Sequence, residues 1–351
     1  MLSTEESAHY SRHLDLEKFG LQSQLKLKKA KVLVVGAGGL GCPALIYLTA
    51  AGIGTLGIID GDNVEASNLQ RQILFQYNDI GKNKAKIASN RLSLLNPHIK
   101  LSPYETFITQ ENAINIIDDY DIVIDGSDNI ATKELINDAC VIKNKPLIFG
   151  AIYKFEGQLS VFNYNNGPTY RCLFPENKDI VEKLDCSSIG VLGVLPGIIG
   201  NLQAMECIKV IAGIGNILSG RVLLYNGLEQ SFSQMSLKRS NKANIKKLAN
   251  YKTPICSSYT LSTIEVKEKL TNNPKVQFVD VREKEEFESY NIGALNLPLS
   301  KLDQLLDQLE KSNPVIVHCK SGQRSIKAID ILKKNSFKEV YNMKGGIMNW
   351  S

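Results

Sequence analysis

Cys319 closes the apolar run Val315-Ile316-Val317-His318, and Arg324 follows after Lys320-Ser321-Gly322-Gln323. A tight loop turns successive backbone N–H groups toward one point, the helix behind it adds the positive end of its dipole, and the arginine supplies a fixed cation. This arrangement favours a sulfur anion on Cys319, either thiolate or persulfide. Far upstream, Lys31-Val32-Leu33-Val34-Val35 runs into Gly36-Ala37-Gly38-Gly39-Leu40-Gly41, and Asp60 ends the next apolar strand. Glycines at these spacings permit a tight turn, close backbone approach to phosphate and close packing of the following helix, while a carboxylate at the second strand's end suits ribose hydroxyls. Together the two features point to nucleotide-driven activation at one end of the chain and sulfur delivery at the other.

A glycine loop alone fits many dinucleotide enzymes. The continuation Asp60-Gly61-Asp62-Asn63-Val64-Glu65-Ala66-Ser67-Asn68-Leu69-Gln70-Arg71-Gln72, then Gly81-Lys82-Asn83-Lys84, separates the cases. A dinucleotide pyrophosphate can rest on the loop without cations, whereas a reacting triphosphate builds up charge that Arg71, Lys84 and Mg²⁺ would neutralise.

The elements that must position these groups follow from the hydrophobic pattern. Strand 32–35, helix 42–51, strand 55–60, helix 84–95, strand 99–104, helix 111–117, strand 122–125, helix 130–143 and strand 146–150 alternate, after a charged, helical stretch over 4–29. That alternation predicts an α/β, Rossmann-like, doubly wound and mostly parallel sheet. Hairpin-like stretches around 158–164, an apolar helix over 194–212 and a strand over 221–225 follow. We expect one domain over 1–240, a lysine- and asparagine-rich linker over 241–258 and a second compact α/β domain over 259–351. The 351 residues, 43% of them hydrophobic, suffice for two cores. A net charge of +5, from 41 basic and 36 acidic residues spread along the chain, gives no sign of nucleic-acid binding. Seven irregularly placed cysteines without a signal peptide read as reduced intracellular thiols. We expect a soluble cytoplasmic protein, or a stromal one if plastid-encoded, with no membrane span. Cys42, Cys140 and Cys207 fall on apolar helices and read as core residues, and the four histidines do not cluster.

Residues 4–240 resemble the adenylylating MoeB/ThiF/HesA family, relatives of ubiquitin-activating E1 proteins. The likeness rests on Gly36-x-Gly38-Gly39-Leu40-Gly41, Asp60-x-Asp62, Ser67-Asn68-Leu69-Gln70-Arg71-Gln72, Lys84 and Ser127-Asp128-Asn129. It implies that Asp60 holds ribose, that Asn68, Arg71 and Lys84 contact the phosphates, and that Asp128 binds Mg²⁺. Ser67, Leu69, Gln70 and Asn129 belong to the same nucleotide-binding set, and Arg12 resembles an arginine inserted into the neighbouring subunit's site of a homodimer. The implied reaction joins ATP to the C-terminal Gly-Gly carboxylate of a ubiquitin-like sulfur carrier. Cys186, in Leu184-Asp185-Cys186-Ser187-Ser188, matches a position where some members bind the carrier covalently. The family's structural zinc, held by two Cys-x-x-Cys pairs, is not expected here: Thr169-Tyr170-Arg171-Cys172 keeps one cysteine of the first pair, and 240–247 has none.

Residues 259–351 resemble single-domain rhodaneses through Cys319-x-x-Gly322-x-Arg324-Ser325, Asp280-Val281-Arg282, Glu286-Phe287 and Gly345-Gly346-Ile347-x-x-Trp350. Tyr290-Asn291-Ile292 stands where that family often has a Gly-His-Ile motif. The resemblance implies a Cys319 persulfide, charged by a sulfur-donor protein or thiosulfate, that turns the adenylylated carrier into a thiocarboxylate. Molybdopterin synthesis is the favoured pathway, with thiamine synthesis or tRNA thiolation as the same chemistry on another carrier. A nicotinamide oxidoreductase fused to a rhodanese, and a carrier-docking scaffold without catalysis, are the rival readings.

Overall fold

A computed structural model describes residues 1–175, 190–249, 251 and 260–350. The chain divides into two compact units, Met1–Lys252 and Thr253–Ser351.

The first unit opens with three short helices, α1 (Thr4–His9), α2 (Ser11–Leu14) and α3 (Gly20–Lys29), rather than one helical stretch. The break has a packing cause: Tyr10 turns inward, 4% exposed, and its hydroxyl accepts a 2.8 Å hydrogen bond from Asn96. Next come β1 (Lys31–Val35), α4 (Gly41–Ala51), β2 (Thr55–Ile59), α5 (Lys84–Leu95), β3 (Lys100–Tyr104), α6 (Ala113–Asp118), β4 (Ile122–Asp125), α7 (Ile130–Ile142) and β5 (Leu147–Tyr153). The unit continues with β6 (Glu156–Phe162), α8 (Tyr170–Leu173), α9 (Val194–Ala212), β7 (Arg221–Asn226) and β8 (Ser231–Ser236). The sheet order is β3-β2-β1-β4-β5-β6-β7-β8, parallel from β3 to β5 and antiparallel beyond.

Side chains alternate across β1, so Val32 and Val34 join the core under α4, α5 and α9, and Leu33 and Val35 join the one under α6 and α7. Both faces are thereby covered. The 19 residues of α9 are long and apolar enough for a bilayer, yet the helix packs into the first core and its buried Gln203 and Glu206 bond within the fold. Residues 241–249 and 251, read from sequence as the start of a linker, close onto the first unit. Ala243 is buried, Leu248 and Tyr251 pack on the α7 side, and the Tyr251 hydroxyl donates to Asp138 at 2.7 Å.

The second unit contains β9 (Thr260–Leu261), α10 (Thr263–Asn272), β10 (Gln277–Asp280), α11 (Lys284–Ser289), β11 (Leu295–Asn296), β12 (Val315–His318), α12 (Gln323–Lys334) and β13 (Val340–Met343). Its five strands are all parallel, in the order β11-β10-β12-β13-β9. The central strand β12 is buried along its whole length, which is why four consecutive apolar or buried residues precede the cysteine.

Candidate active sites

In the first unit the chain runs outward from β1 to β2 and β3, then returns to β4 on the other side of β1. The register pairs Val35 with both Ile59 and Asp125, so the glycine loop, Asp60 and Gly126–Asn129 all leave the sheet at one edge, at the point where strand order reverses. That crevice is where open α/β sheets bind ligands. Two glycines are obligatory for its shape. Gly36 has φ +92°, and a methyl on it would meet the Gly126 carbonyl oxygen at 2.8 Å; a methyl on Gly41 would meet the Gly36 carbonyl oxygen at 1.9 Å.

Asp60 is anchored before any ligand arrives: Ala37 N–H donates to Oδ2 at 2.8 Å and Asp62 N–H to Oδ1 at 2.9 Å. Burial pushes its pKa up, with Lys84 pulling the other way. Lys84 begins α5, capped by Asn83, and its nearly buried ammonium lies 3.4 Å from Asp62 Oδ2. The segment 67–72 is wedged against the loop from the other side. Arg71 donates to the Ser67 carbonyl at 3.0 Å, and its Cδ would stand 3.6 Å from a methyl on Gly39. Asn68 donates to the Ser67 hydroxyl and accepts from Glu65 N–H, both at 3.3 Å. Leu69 packs on the core, and the Gln70 carbonyl lies against Gly193, just before α9.

On the β4 side, Asp125 is fully buried. Lys133 Nζ donates to its Oδ2 at 3.1 Å, and the Ser127 N–H and hydroxyl donate to its Oδ1 at 3.0 and 2.6 Å. Asn129 caps α7 by accepting from Thr132 N–H at 2.9 Å, which leaves Asp128 exposed on the rim next to the glycine loop. The result is a crevice with fixed backbone donors, an anchored carboxylate, two basic side chains and an exposed acidic rim position, suited to a phosphate chain with a cation.

Sequence reasoning omitted Gln72 from the site. It is 4% exposed, its Nε2 would stand 3.8 Å from a methyl on Gly38, and its buried Oε1 has no hydrogen-bond partner among the described residues. Its place immediately after Arg71 is the signal that could have found it. Asp125 and Lys133, which hold the Ser127 turn, carry no local signal because the pair forms only after β4 and α7 are packed. A wide hollow of about 700 Å³ among Tyr164, Pro168, Asn216 and Arg221 lies at the opposite end of the sheet, where Phe162 pairs with Leu147.

Arg12 does not join the cluster within one chain. It is exposed on α2, and its neighbours Tyr10 and His13 are tied to Asn96, Gly52 and Gln24 at the far end of α4 from the glycine loop. An 11-residue helix separates the two places, about 16 Å at 1.5 Å per residue. Cys186 lies outside the described residues.

In the second unit β12 delivers Cys319 into the first turn before α12. Its side chain is buried, Gly322 N–H donates to Sγ at 3.2 Å, and the Ser325 hydroxyl stands 3.6 Å from the sulfur while also reaching Asn342 Oδ1 at 2.6 Å. Arg324 grips Glu286 with both guanidinium nitrogens, at 2.5 and 2.8 Å. Glu286, and secondarily Cys319, raise the arginine's pKa, and the arginine holds the Glu286 carboxyl down to about 2. The expected fixed cation is therefore held by a carboxylate that sequence reading left without a role. Behind the cysteine, His318 is fully buried with its ring tilted against Phe278 and Nε2 3.8 Å from Asp280 Oδ2; burial lowers its pKa, with Asp280 pulling the other way. A cavity of about 320 Å³ opens beside the loop, lined by Arg282, Glu286, Tyr290, Lys320 and Met348. Arg282 in its wall is already paired with Asp280, so Lys320 is its exposed basic group.

Comparison with known proteins gives both units a family. Residues 10–247 match the ThiF family, and residues 262–351 match the rhodanese-like domain. A Porphyra purpurea protein named "Probable molybdopterin-synthase adenylyltransferase" is 42% identical over 99% of this chain and 94% of its own length. The Mycobacterium tuberculosis protein named "Probable adenylyltransferase/sulfurtransferase MoeZ" is 37% identical over the full chain and 94% of its own. "Adenylyltransferase and sulfurtransferase MOCS3" of Drosophila sechellia is 40% identical over the full chain and 84% of its own. Among solved structures, Escherichia coli MccB with ATP superposes on 70% of this chain and 75% of its own with a TM-score of 0.60 at 25% identity.

Proposed function

The chain belongs to the ThiF family, with a rhodanese-like domain behind the ThiF region, and from that premise we propose that it adenylylates a ubiquitin-like sulfur carrier and converts it to a thiocarboxylate. The observation that carries this reading is the pairing, in one chain, of the nucleotide crevice around Gly36–Gly41 with the sulfur cup around Cys319. Relatives matched along the whole chain bear names for both activities.

A carboxylate oxygen of the carrier's terminal glycine attacks the α-phosphorus of ATP. The bond from that phosphorus to the bridging oxygen breaks, and pyrophosphate leaves. No side-chain nucleophile is needed, because alignment and charge neutralisation lower the barrier. Asp60 takes the ribose, the loop amides and Asn68 take phosphate oxygens, and Arg71 and Lys84 offset the charge that builds on the leaving pyrophosphate. Asp128 is exposed beside the loop, and one hard carboxylate with phosphate oxygens and water suits Mg²⁺, which would further neutralise the phosphates. Arg12, out of reach of its own crevice, would complete the site of a second copy in a homodimer.

The terminal sulfur of a Cys319 persulfide then attacks the acyl carbon and AMP departs, leaving the carrier in an acyl disulfide with Cys319. An external dithiol attacks the Cys319 sulfur and releases the thiocarboxylate, and its second thiol then frees Cys319 as the dithiol closes to a disulfide; Cys186 is the further thiol that the family resemblance offers to assist. The persulfide itself comes from a donor protein or thiosulfate, and the molybdopterin-synthase carrier is the favoured substrate.

The test follows pyrophosphate exchange into ATP with Mg²⁺ and candidate carriers ending in Gly-Gly. Exchange should require one carrier and fall at least about a hundredfold in Arg71→Ala. Failure of exchange with every carrier would return the chain to the dehydrogenase or scaffold reading.

A further inference from the structure

The sulfur of Cys172 is surrounded by donors. Backbone N–H groups of Thr169 and Ser240 reach it at 3.4 and 3.3 Å, and the hydroxyls of the same two residues stand at 3.6 and 3.5 Å. Cys172 is at the end of the turn carrying α8, and Ser240 opens the 3₁₀ turn Asn241–Ala243, so one sulfur ties together two segments that are 68 residues apart.

The positions are instructive. Thr169 and Cys172 are spaced as a Cys-x-x-Cys pair, and Ser240 and Ala243 are spaced as a second one. The resemblance to the family implies a zinc at two such pairs, and the residues present do not fit it. They offer one thiol, two neutral hydroxyls and a buried methyl in place of four thiolates, and the sulfur's surroundings are taken by hydrogen-bond donors. Among the described residues no group of three or more His, Cys, Asp or Glu could hold a metal ion.

We infer that Cys172, its sulfur held by the amides and hydroxyls of Thr169 and Ser240, fastens segments 169–172 and 240–243 in place of a metal. Amide and hydroxyl donors aimed at one sulfur stabilise its anion in the way they stabilise a carboxylate at a helix cap. Burial is the largest single influence and raises the thiol's pKa, but the bonds from Ser240 and Thr169 together outweigh it and leave the value below that of an ordinary cysteine. Two nearby cations are engaged elsewhere, Arg171 with Asp138 and Glu134 and Arg239 with the Gly167 carbonyl, while Lys242 on the same turn as Ser240 is exposed. The fastened strap continues through Leu248 and Tyr251 onto α7, so the staple secures the closing segment of the first unit. The inference stands independently of the adenylylation reading.

The experiment uses the full chain, purified without chelators. Metal analysis should find far less than one bound zinc per chain, and EDTA should leave Tm unchanged. Alkylation of Cys172 across pH, read by peptide mass spectrometry, should show a midpoint below that of the same cysteine in denaturant. Ser240→Ala should raise that midpoint by about half to one pH unit, the effect of losing one charge-assisted bond at a partly exposed site. Thr169→Val reads the same effect if Ser240→Ala proves unstable. One equivalent of zinc, a fall in Tm with EDTA, or a midpoint that neither substitution moves would overturn the inference.

Discussion

His318 and Cys319 are neighbours with opposite surroundings: the sulfur meets a backbone donor, the imidazole lies buried against the Phe278 ring. Burial keeps His318 neutral by lowering its pKa below the ordinary 6.5. A histidine whose folded pKa is depressed leaves the unfolded chain binding more protons at mildly acidic pH, so its contribution to stability is lost as pH falls below about 6.5. Thermal melts of the full chain at pH 7.5 and 5.5 should show a lower Tm at pH 5.5, and His318→Leu should shrink that difference. An unchanged difference would place the acid sensitivity elsewhere. Glu286 behaves differently. Its low pKa comes from Arg324, the pair is about a third exposed, and solvent screening limits its worth to about 1 kcal/mol or less. Its importance lies in where it points the arginine.

At the level of elements, the crevice depends on how closely three turns approach one another. Gly41 begins α4 with its Cα facing the Gly36 carbonyl, and Gly126 after β4 lies on the other side of the same peptide. A methyl on Gly41 cannot be relieved by rotating a side chain, because the obstacle is backbone. Gly41→Ala should therefore push α4 away from β1, lowering Tm and abolishing ATP binding measured by calorimetry. Retained nucleotide affinity at the wild-type level would show that the loop tolerates that displacement. The α7 side has a comparable interlock in Arg171, which pairs with Asp138 and Glu134 while Tyr251 donates to the same Asp138. Such a buried cluster is costly to break because each member leaves another charge without compensation.

On the scale of the whole molecule, the two units have separate cores and separate reactive centres, so their activities should be separable by mutation within the full chain. Cys319→Ser should abolish thiocarboxylate formation while leaving carrier-dependent pyrophosphate exchange near wild type, and Arg71→Ala should do away with both. Loss of exchange in Cys319→Ser would mean that adenylylation depends on the sulfur unit. The sequence by itself determined the alternation of strands and helices, the mostly parallel sheet of the first unit, the glycine turn and the cysteine loop, because each is written in contiguous residues: hydrophobic period, turn-forming glycines and short fixed spacings. It also placed Cys42, Cys140 and Cys207 in the core, where all three are buried. The partners of those motifs were not legible. Glu286 on Arg324, Lys133 under Asp125 and Ser240 on Cys172 were decided only by the tertiary structure, since those contacts arise when strand order and helix packing bring separate segments to hydrogen-bond distance, and no local pattern encodes a distance across the fold.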